Sequence, residues 1–360
     1  MTEDAIVANH HSVVTAESVT CGHPDKVCDQ ISDAILDAFL AGDSYSRVAV
    51  ECLGSHGLLV IGGEVTSSQE VNVIDVALKV YKEIGYNEKP EVIARISQQS
   101  PDIAQGVDPG GAGDQGIMYG YATNETPEYL PRAIVLAHRL TSGLEKLRRT
   151  DKKFSWLRPD GKSQITILDA AVKTALVSCQ HDPAIDLKDI QRLIAEHLIR
   201  PITGDGDYQI LVNPTGRFTL GGFTADAGLT GRKIMVDTYG GLIPHGGGCF
   251  SGKDPTKVDR SGAYQARRAA LSAVTSGLAE KCLVSVAYAI GRAEPLMLTA
   301  NSFGTGDDKK IITAIHKHID FSPKGIIQQL NLRRPIYQKT ACYGHFGRKG
   351  FPWEEPVDLK

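Results

Sequence analysis

A chain of 360 residues with 42% hydrophobic and 22% charged content can bury a large core, and its length fits two or three domains. The formal net charge of −3 gives no global pull toward nucleic acid or anionic membrane, so basic residues must act locally. No apolar run reaches membrane-spanning length, the opening MTEDAIVANHH is acidic and polar, and the seven cysteines are scattered without a CxxC pair. These features predict a cytoplasmic protein with reduced thiols, with neither a disulfide frame nor a zinc site.

From Val27 the apolar positions Val27, Ile31, Ala34, Ile35, Ala38 and Phe39 follow helical spacing, which places Gly22-His23-Pro24-Asp25 at a helix start. Pro24 suits that first turn and Asp25 faces the positive end of the helix dipole; a plain helix cap accounts for both residues unless other features add weight. Residues 46–67 read as two strands joined by a glycine turn and ending in Gly62-Gly63-Glu64, and residues 68–86 as an amphipathic helix. Glu51 sits inside the first of these strands, where a carboxylate calls for a salt bridge or a bound cation.

Residues 96–130 lack periodicity and are rich in Gly, Pro, Asp and Asn, so the sequence predicts a long loop. They hold Gly111-Ala112-Gly113-Asp114-Gln115-Gly116, formally a dinucleotide fingerprint. Asp108-Pro109-Gly110 before it are turn-formers rather than a strand, which removes that reading. A helix is predicted from Pro131 to Leu147, strands at 162–168 and 170–181, a helix at 186–202, and a strand-turn-strand at 207–224. A helix beginning near Lys257, a strand pair over 282–305 and a helix at 312–330 complete the chain. Three strand pairs backed by helices imply an α+β fold of three related sheet-and-helix units, at 12–108, 109–221 and 222–358.

The densest chemistry lies between Asn213 and Arg260, which holds eleven of the chain's 37 glycines among Arg217, Arg232, Lys233, His245, Lys253, Lys257 and Arg260. Glycine lets backbone N–H groups approach an anion and the cations neutralise it, so the stretch reads as a polyphosphate cradle. Asp226, Asp237, Asp254 and Asp259 add carboxylates through which a divalent ion could bridge protein and phosphate. Gly247 to Asp254 nearly matches a P-loop, but Asp254 stands where that motif needs a hydroxyl, and Pro244 spoils the strand that should precede it. A set of cations of this size fits a triphosphate discharged as one leaving group.

Glu17-Ser18-Val19, Gly22-His23-Pro24-Asp25-Lys26, Gly113-Asp114-Gln115-Gly116 and His245-Gly246-Gly247-Gly248 followed by Phe250-Ser251-Gly252-Lys253-Asp254-Pro255 resemble the S-adenosylmethionine synthetase (methionine adenosyltransferase) family. The resemblance runs from about residue 12 to 356. It implies formation of S-adenosylmethionine from ATP and L-methionine, then hydrolysis of bound tripolyphosphate, with about two magnesium ions (Mg2+) per site and potassium (K+). On the same basis His23, Lys162, Arg232 and Lys253 are catalytic. Asp160, Arg217, Phe218, Asp226, Lys233 and Cys249 join them around ATP, and Glu64, Gln99, Asp114, Asp226 and Lys257 contact methionine. Asp25 and Asp259 bind magnesium, and Glu51 potassium. The family fold implies three units about a pseudo-threefold axis. Its members are homo-oligomers, dimers or dimers of dimers, with active sites shared between subunits, and bind neither nucleic acid nor membrane. Cys21 and Cys249 depart from the family pattern, and the gating loop between Gln105 and Gly113 is short. Two readings of other classes are an ATP-dependent ligase working through an acyl-adenylate and a nucleotide-binding regulator without turnover; carboxylate-dependent ATP exchange marks the first and binding without product the second.

Overall fold

The computed structural model describes residues 12–98 and 111–360. In chain order, β1 (Val13–Val19) leads into α1 (Pro24–Gly42), then β2 (Arg47–Ser55), β3 (Leu58–Thr66), α2 (Val73–Ile84) and β4 (Glu91–Ser97). Next come β5 (Gly116–Thr123), α3 (Arg132–Thr150), β6 (Leu157–Leu168), β7 (Ala171–His181), α4 (Leu187–Ile194), β8 (Gln209–Val212), β9 (Gly228–Leu229) and α5 (Ile234–Asp237). The chain ends with α6 (Val258–Thr275), β10 (Lys281–Tyr288), β11 (Met297–Asn301), α7 (Asp308–His318) and α8 (Pro323–Gln329).

The strands form three sheets, ordered β4-β3-β2-β9, β1-β6-β7-β8 and β11-β10-β5. Helices α1 and α2 back the first, α3 the second and α6 the third, so the fold is α+β with three sheet-and-helix units. Alternation explains how each sheet is seated. In β2, Val48, Val50 and Cys52 are buried while Glu51 and Leu53 face outward, and in β10 Cys282, Val284, Val286 and Tyr288 form the buried row. The units exchange strands: β1 pairs with β6, β5 with β10, and β9 with β2.

Several elements differ from the sequence expectation. Residues 116–123, inside the predicted loop, form β5; Gly120 removes the side chain that would collide with α6, where an added Cβ would lie 1.9 Å from the Ala266 carbonyl carbon. Neither β1 nor β4 is predicted, and β6 starts five residues early, carrying Pro159, Asp160 and Gly161 through a register shift between Leu157 and Gly161. After Val212 the expected second strand is absent, replaced by irregular chain and a short 3-10 turn at Gly222–Thr224. The expected single helix at 312–330 is two, because Ser322 caps a new one and Pro323 occupies its first turn. Among the described residues no helix is long and apolar enough to cross a membrane, and all seven cysteines are free thiols.

Candidate active site

Two cation-bearing segments hang side by side on the free edge of β2. Residues 228–230 pair with its C-terminal half, through Leu229 opposite Leu53 and Thr230 N–H to the Cys52 carbonyl at 3.0 Å. Residues 252–254 pair with its N-terminal half, through Val50 N–H to the Gly252 carbonyl at 3.1 Å and Asp254 N–H to the Val48 carbonyl at 3.0 Å. Gly252 has φ +80°, and a Cβ there would lie 1.9 Å from the Val50 carbonyl oxygen, so the close approach requires glycine. The segments also touch each other, since a Cβ on Gly231 would fall 2.5 Å from Cys249 Cβ.

Four aspartates of α1 at four-residue intervals share one helix face and secure what lies against it. Asp25 accepts from Leu229 N–H at 2.9 Å and Lys233 Nζ at 2.6 Å, and Asp29 from Gly231 N–H at 2.8 Å. Asp33 accepts from Gly252 N–H at 2.8 Å, and Asp37 from Tyr337 N–H at 2.9 Å. Burial opposes charge on Asp25, but the Lys233 ammonium and the Leu229 N–H outweigh it and hold its carboxyl below the ordinary value.

His23 caps α1, its Nδ1 accepting from Asp25 N–H at 3.2 Å. Burial, then the Lys233 and Lys162 ammonium groups, lower its pKa to about 3, so the imidazole is neutral at pH 7. With Nδ1 occupied as acceptor, the ring proton sits on Nε2. Lys162 follows Asp160 on β6, opposite Val19 of β1. Asp160 is buried; one oxygen accepts from Gly222 N–H at 2.9 Å and the other has no hydrogen-bond partner among the described residues. Burial raises its pKa to about 6 despite the Gly222 N–H and Lys162, with Asp226 pushing the same way as burial.

On the other segment, Lys253 Nζ meets Asp259 Oδ2 at 2.6 Å. Burial works against charge on Lys253, but its neighbours, Cys249 and the hydrogen-bonded Asp259 carboxylate, raise its pKa overall. Cys249 is partly exposed, and burial lifts its thiol pKa above the ordinary value although Lys253 pulls the other way. That makes it a weaker nucleophile than a free cysteine. Asp254 explains the broken P-loop pattern: fully buried, it accepts from Val48 N–H at 2.7 Å, Thr256 Oγ1 at 2.7 Å and Lys257 Nζ at 2.5 Å, which makes it a loop anchor.

Contacts tie several of the remaining predicted residues to these segments. Phe218 is fixed by His181, which donates its N–H to the Phe218 carbonyl at 2.9 Å and accepts the Phe218 N–H on Nε2 at 3.0 Å. Gln180 ties this segment to Asp160, donating to the Thr219 carbonyl at 3.2 Å and accepting Asp160 N–H at 3.2 Å. Glu64 lies opposite Ala49, which bridges to Lys253 on its other side. Asp114 precedes Gly116, where a Cβ would lie 3.5 Å from Asp259 Oδ1. Glu64, Asp114 and Arg217 make no hydrogen bond or ion pair with another predicted site residue among the described residues, and exposed Asp226 bonds only its own loop, through Ala227 N–H at 2.8 Å. Arg232 Nε stands 3.5 Å from Asp25 Oδ1. Gln99 and most of the predicted gating loop lie outside the described residues.

Among the described residues no group of three His, Cys, Asp or Glu side chains could hold a metal alone. Asp25 and Asp259 nevertheless suit magnesium, which is typically held by one or two carboxylates plus substrate phosphates and waters. Each oxygen pair retains acceptor sites beyond those its lysine uses. Glu51 faces outward and, among the described residues, has no hydrogen-bond or ion-pair partner, so the salt-bridge alternative is not realised. Sequence reading missed Asp29, Asp33 and His181. The Asp25-Asp29-Asp33-Asp37 spacing was the available signal for the first two; nothing in the sequence marks His181.

Three family models of S-adenosylmethionine synthetase match in succession: the N-terminal domain over residues 11–101, the central domain over 109–218 and the C-terminal domain over 220–355. The chain is 48% identical over 378 aligned residues to an S-adenosylmethionine synthase of Thermus thermophilus, covering 95% of each chain. It is 50% identical to one from Pseudothermotoga lettingae over 94% of this chain and 95% of the relative, and 49% identical to one from Petrotoga mobilis over 96% of each.

Proposed function

Because the chain belongs to the S-adenosylmethionine synthetase family, we propose a mechanism for its methionine adenosyltransferase activity in which the β2-edge segments bind the triphosphate of ATP. The methionine sulfur attacks ribose C5′, the S–C5′ bond forms, the C5′–O5′ bond breaks, and its electron pair leaves with tripolyphosphate. A thioether sulfur loses no proton in this step, so no general base is needed. Rate then comes from in-line positioning and from neutralising charge on the departing chain.

The observation that carries this reading is the pairing of Lys233 with Asp25 beside neutral His23, together with the pairing of Lys253 with Asp259 on the other segment. When ATP enters, the two ammonium groups turn to phosphate oxygens and leave the carboxylates free. His23 donates its Nε2 proton as a hydrogen bond to the leaving oxygen, and Arg232 and Lys162 complete the ring of cations. Magnesium held by Asp25 and Asp259 would supply Lewis-acid neutralisation of phosphate charge, and Glu51 would hold potassium. Asp160 and Arg217 orient the adenosine, with Phe218 offering an aromatic face to adenine. Glu64, Gln99, Asp114, Asp226 and Lys257 contact methionine, and Cys249 borders the ATP site. The bound tripolyphosphate is then hydrolysed, water replacing an oxygen at one phosphorus to give phosphate and diphosphate. The working form is a cytoplasmic homo-oligomer, a dimer or dimer of dimers, in which partner subunits complete each site.

Incubation with ATP and methionine, followed by mass detection of the sulfonium product and assay of phosphate and diphosphate, tests this. Product in the absence of methionine, or ATP consumption yielding diphosphate and adenylate, would refute it.

A further inference from the structure

His23 hangs from a peptide plane that is gripped at both ends. Its N–H donates to the Thr20 carbonyl at 3.1 Å, and the Gly22 carbonyl of the same plane accepts from the Tyr86 hydroxyl at 2.5 Å. A peptide plane is rigid, so the two bonds together fix where the His23 Cα sits. Nδ1 of the ring is held by the Asp25 N–H, which leaves Nε2 to serve a ligand.

Tyr86 lies two residues past α2 and is buried, its ring stacked on Tyr81 at 5.0 Å between centroids. The same ring packs against Gly222, where a Cβ would fall 2.5 Å from Tyr86 Cζ, and Gly222 is the residue whose N–H holds Asp160 at 2.9 Å. The His23 turn is also tied to the strand that carries Asp160. Thr20 donates its N–H to the Gly161 carbonyl at 2.9 Å and its hydroxyl to the Pro159 carbonyl at 2.7 Å, and a Cβ on Gly22 would lie 2.4 Å from the Pro159 carbonyl carbon. One phenol thus touches both the residue before His23 and the residue that anchors Asp160. Burial raises its pKa, with the Asp160 charge pushing the same way, so the hydroxyl keeps its proton and stays a donor. A phenylalanine would supply the same packing; what the hydroxyl adds is its bond to Gly22.

We propose that Tyr86 is a positioning residue for adenosyl transfer, holding the His23 imidazole and the Asp160 carboxyl at a fixed separation. It rests on the proposed roles of His23 at the leaving oxygen and Asp160 at the adenosine, and the C5′–O5′ bond that breaks lies between those two contacts. ATP can bind with either contact loose, but in-line attack needs both in register at once. Misplacement by about 1 Å costs on the order of a hundredfold in rate. Loss of the Tyr86 hydroxyl therefore shows in kcat rather than in ATP affinity.

A double-mutant cycle on the full-length enzyme, Tyr86→Phe against His23→Gln, tests this, with kcat and both KM values read from sulfonium formation. Tyr86→Phe keeps the ring and should lower kcat about tenfold, with the ATP and methionine KM within about twofold of the parent. In the His23→Gln background the same change should alter kcat less than about twofold, since the group it positions is gone. Equal losses of about tenfold in both backgrounds overturn the proposal. So does a lower unfolding midpoint with kcat at the parental value, which indicates a purely structural role. Should Tyr86→Phe not fold, Thr20→Val, which cuts another tie of the same turn, takes its place in the cycle with the same outcomes. His23→Gln turning over at the parental rate sinks instead the role of His23 on which the proposal rests, and a parent that forms no sulfonium sinks the transferase reading.

Discussion

Asp160 shows how burial sets the behaviour of one residue. Its pKa of about 6 in the folded chain, against an ordinary 3.8, means that the folded state holds the proton more tightly than the unfolded one. The associated stability is complete below pH 4 and is lost as pH rises through 6, on the order of 3 kcal/mol for a shift of this size. Asp160→Asn keeps an acceptor for Gly222 N–H and places an amide where the unpartnered oxygen stands. Its unfolding midpoint should therefore change less between pH 4 and 6 than the parent's, measured by thermal scans across that range; an identical pH profile would show that Asp160 titrates normally. Lys253 belongs to the same scale. Its charge matters most as the triphosphate departs, so Lys253→Ala should lower kcat about a hundredfold or more while ATP affinity falls far less. Equal losses in both would remove it from the leaving-group role.

At the scale of elements, helical spacing in the sequence located α1 correctly because apolar positions such as Val27, Ile31 and Ile35 reach the core. The same reading passed over the opposite face, where Asp29 and Asp33 look like solvated helix charges until the loops they hold are in place. Strand β5 was hidden for a different reason. Gly116 and Gly120 read as turn residues, yet Gly120 is there because α6 packs directly on the strand backbone. Gly120→Ala should therefore destabilise the protein by about 2 kcal/mol or more, read as a lowered denaturation midpoint with an unchanged m-value. The proposed phosphate-binding stretch stood out in the sequence because glycine, cation and carboxylate recur together there. The β2 edge on which it hangs was not, since pairing partners so far apart in sequence leave no local pattern.

For the whole molecule, the outward face of the first sheet carries Leu53 and Ile93, 41% and 43% exposed, in one cross-strand row with Val60 between them. Glu51 lies on that face as well, beside residues of the proposed site. A subunit partner covering this face would bury the row and bring further groups to the substrates. Leu53→Arg should shift the protein toward monomer in light scattering and reduce activity with it; an unchanged mass would place the subunit contact elsewhere.

The strand exchanges close into a ring. The first unit lends β1 to the second, the second lends β5 to the third, and the third returns β9 to the first. No third of the polypeptide owns a complete sheet, so during synthesis the leading portion waits for residues emerging far behind it before its last edge is filled. The protein should accordingly melt in one calorimetric step, and a fragment ending at residue 108 should not hold native structure on its own.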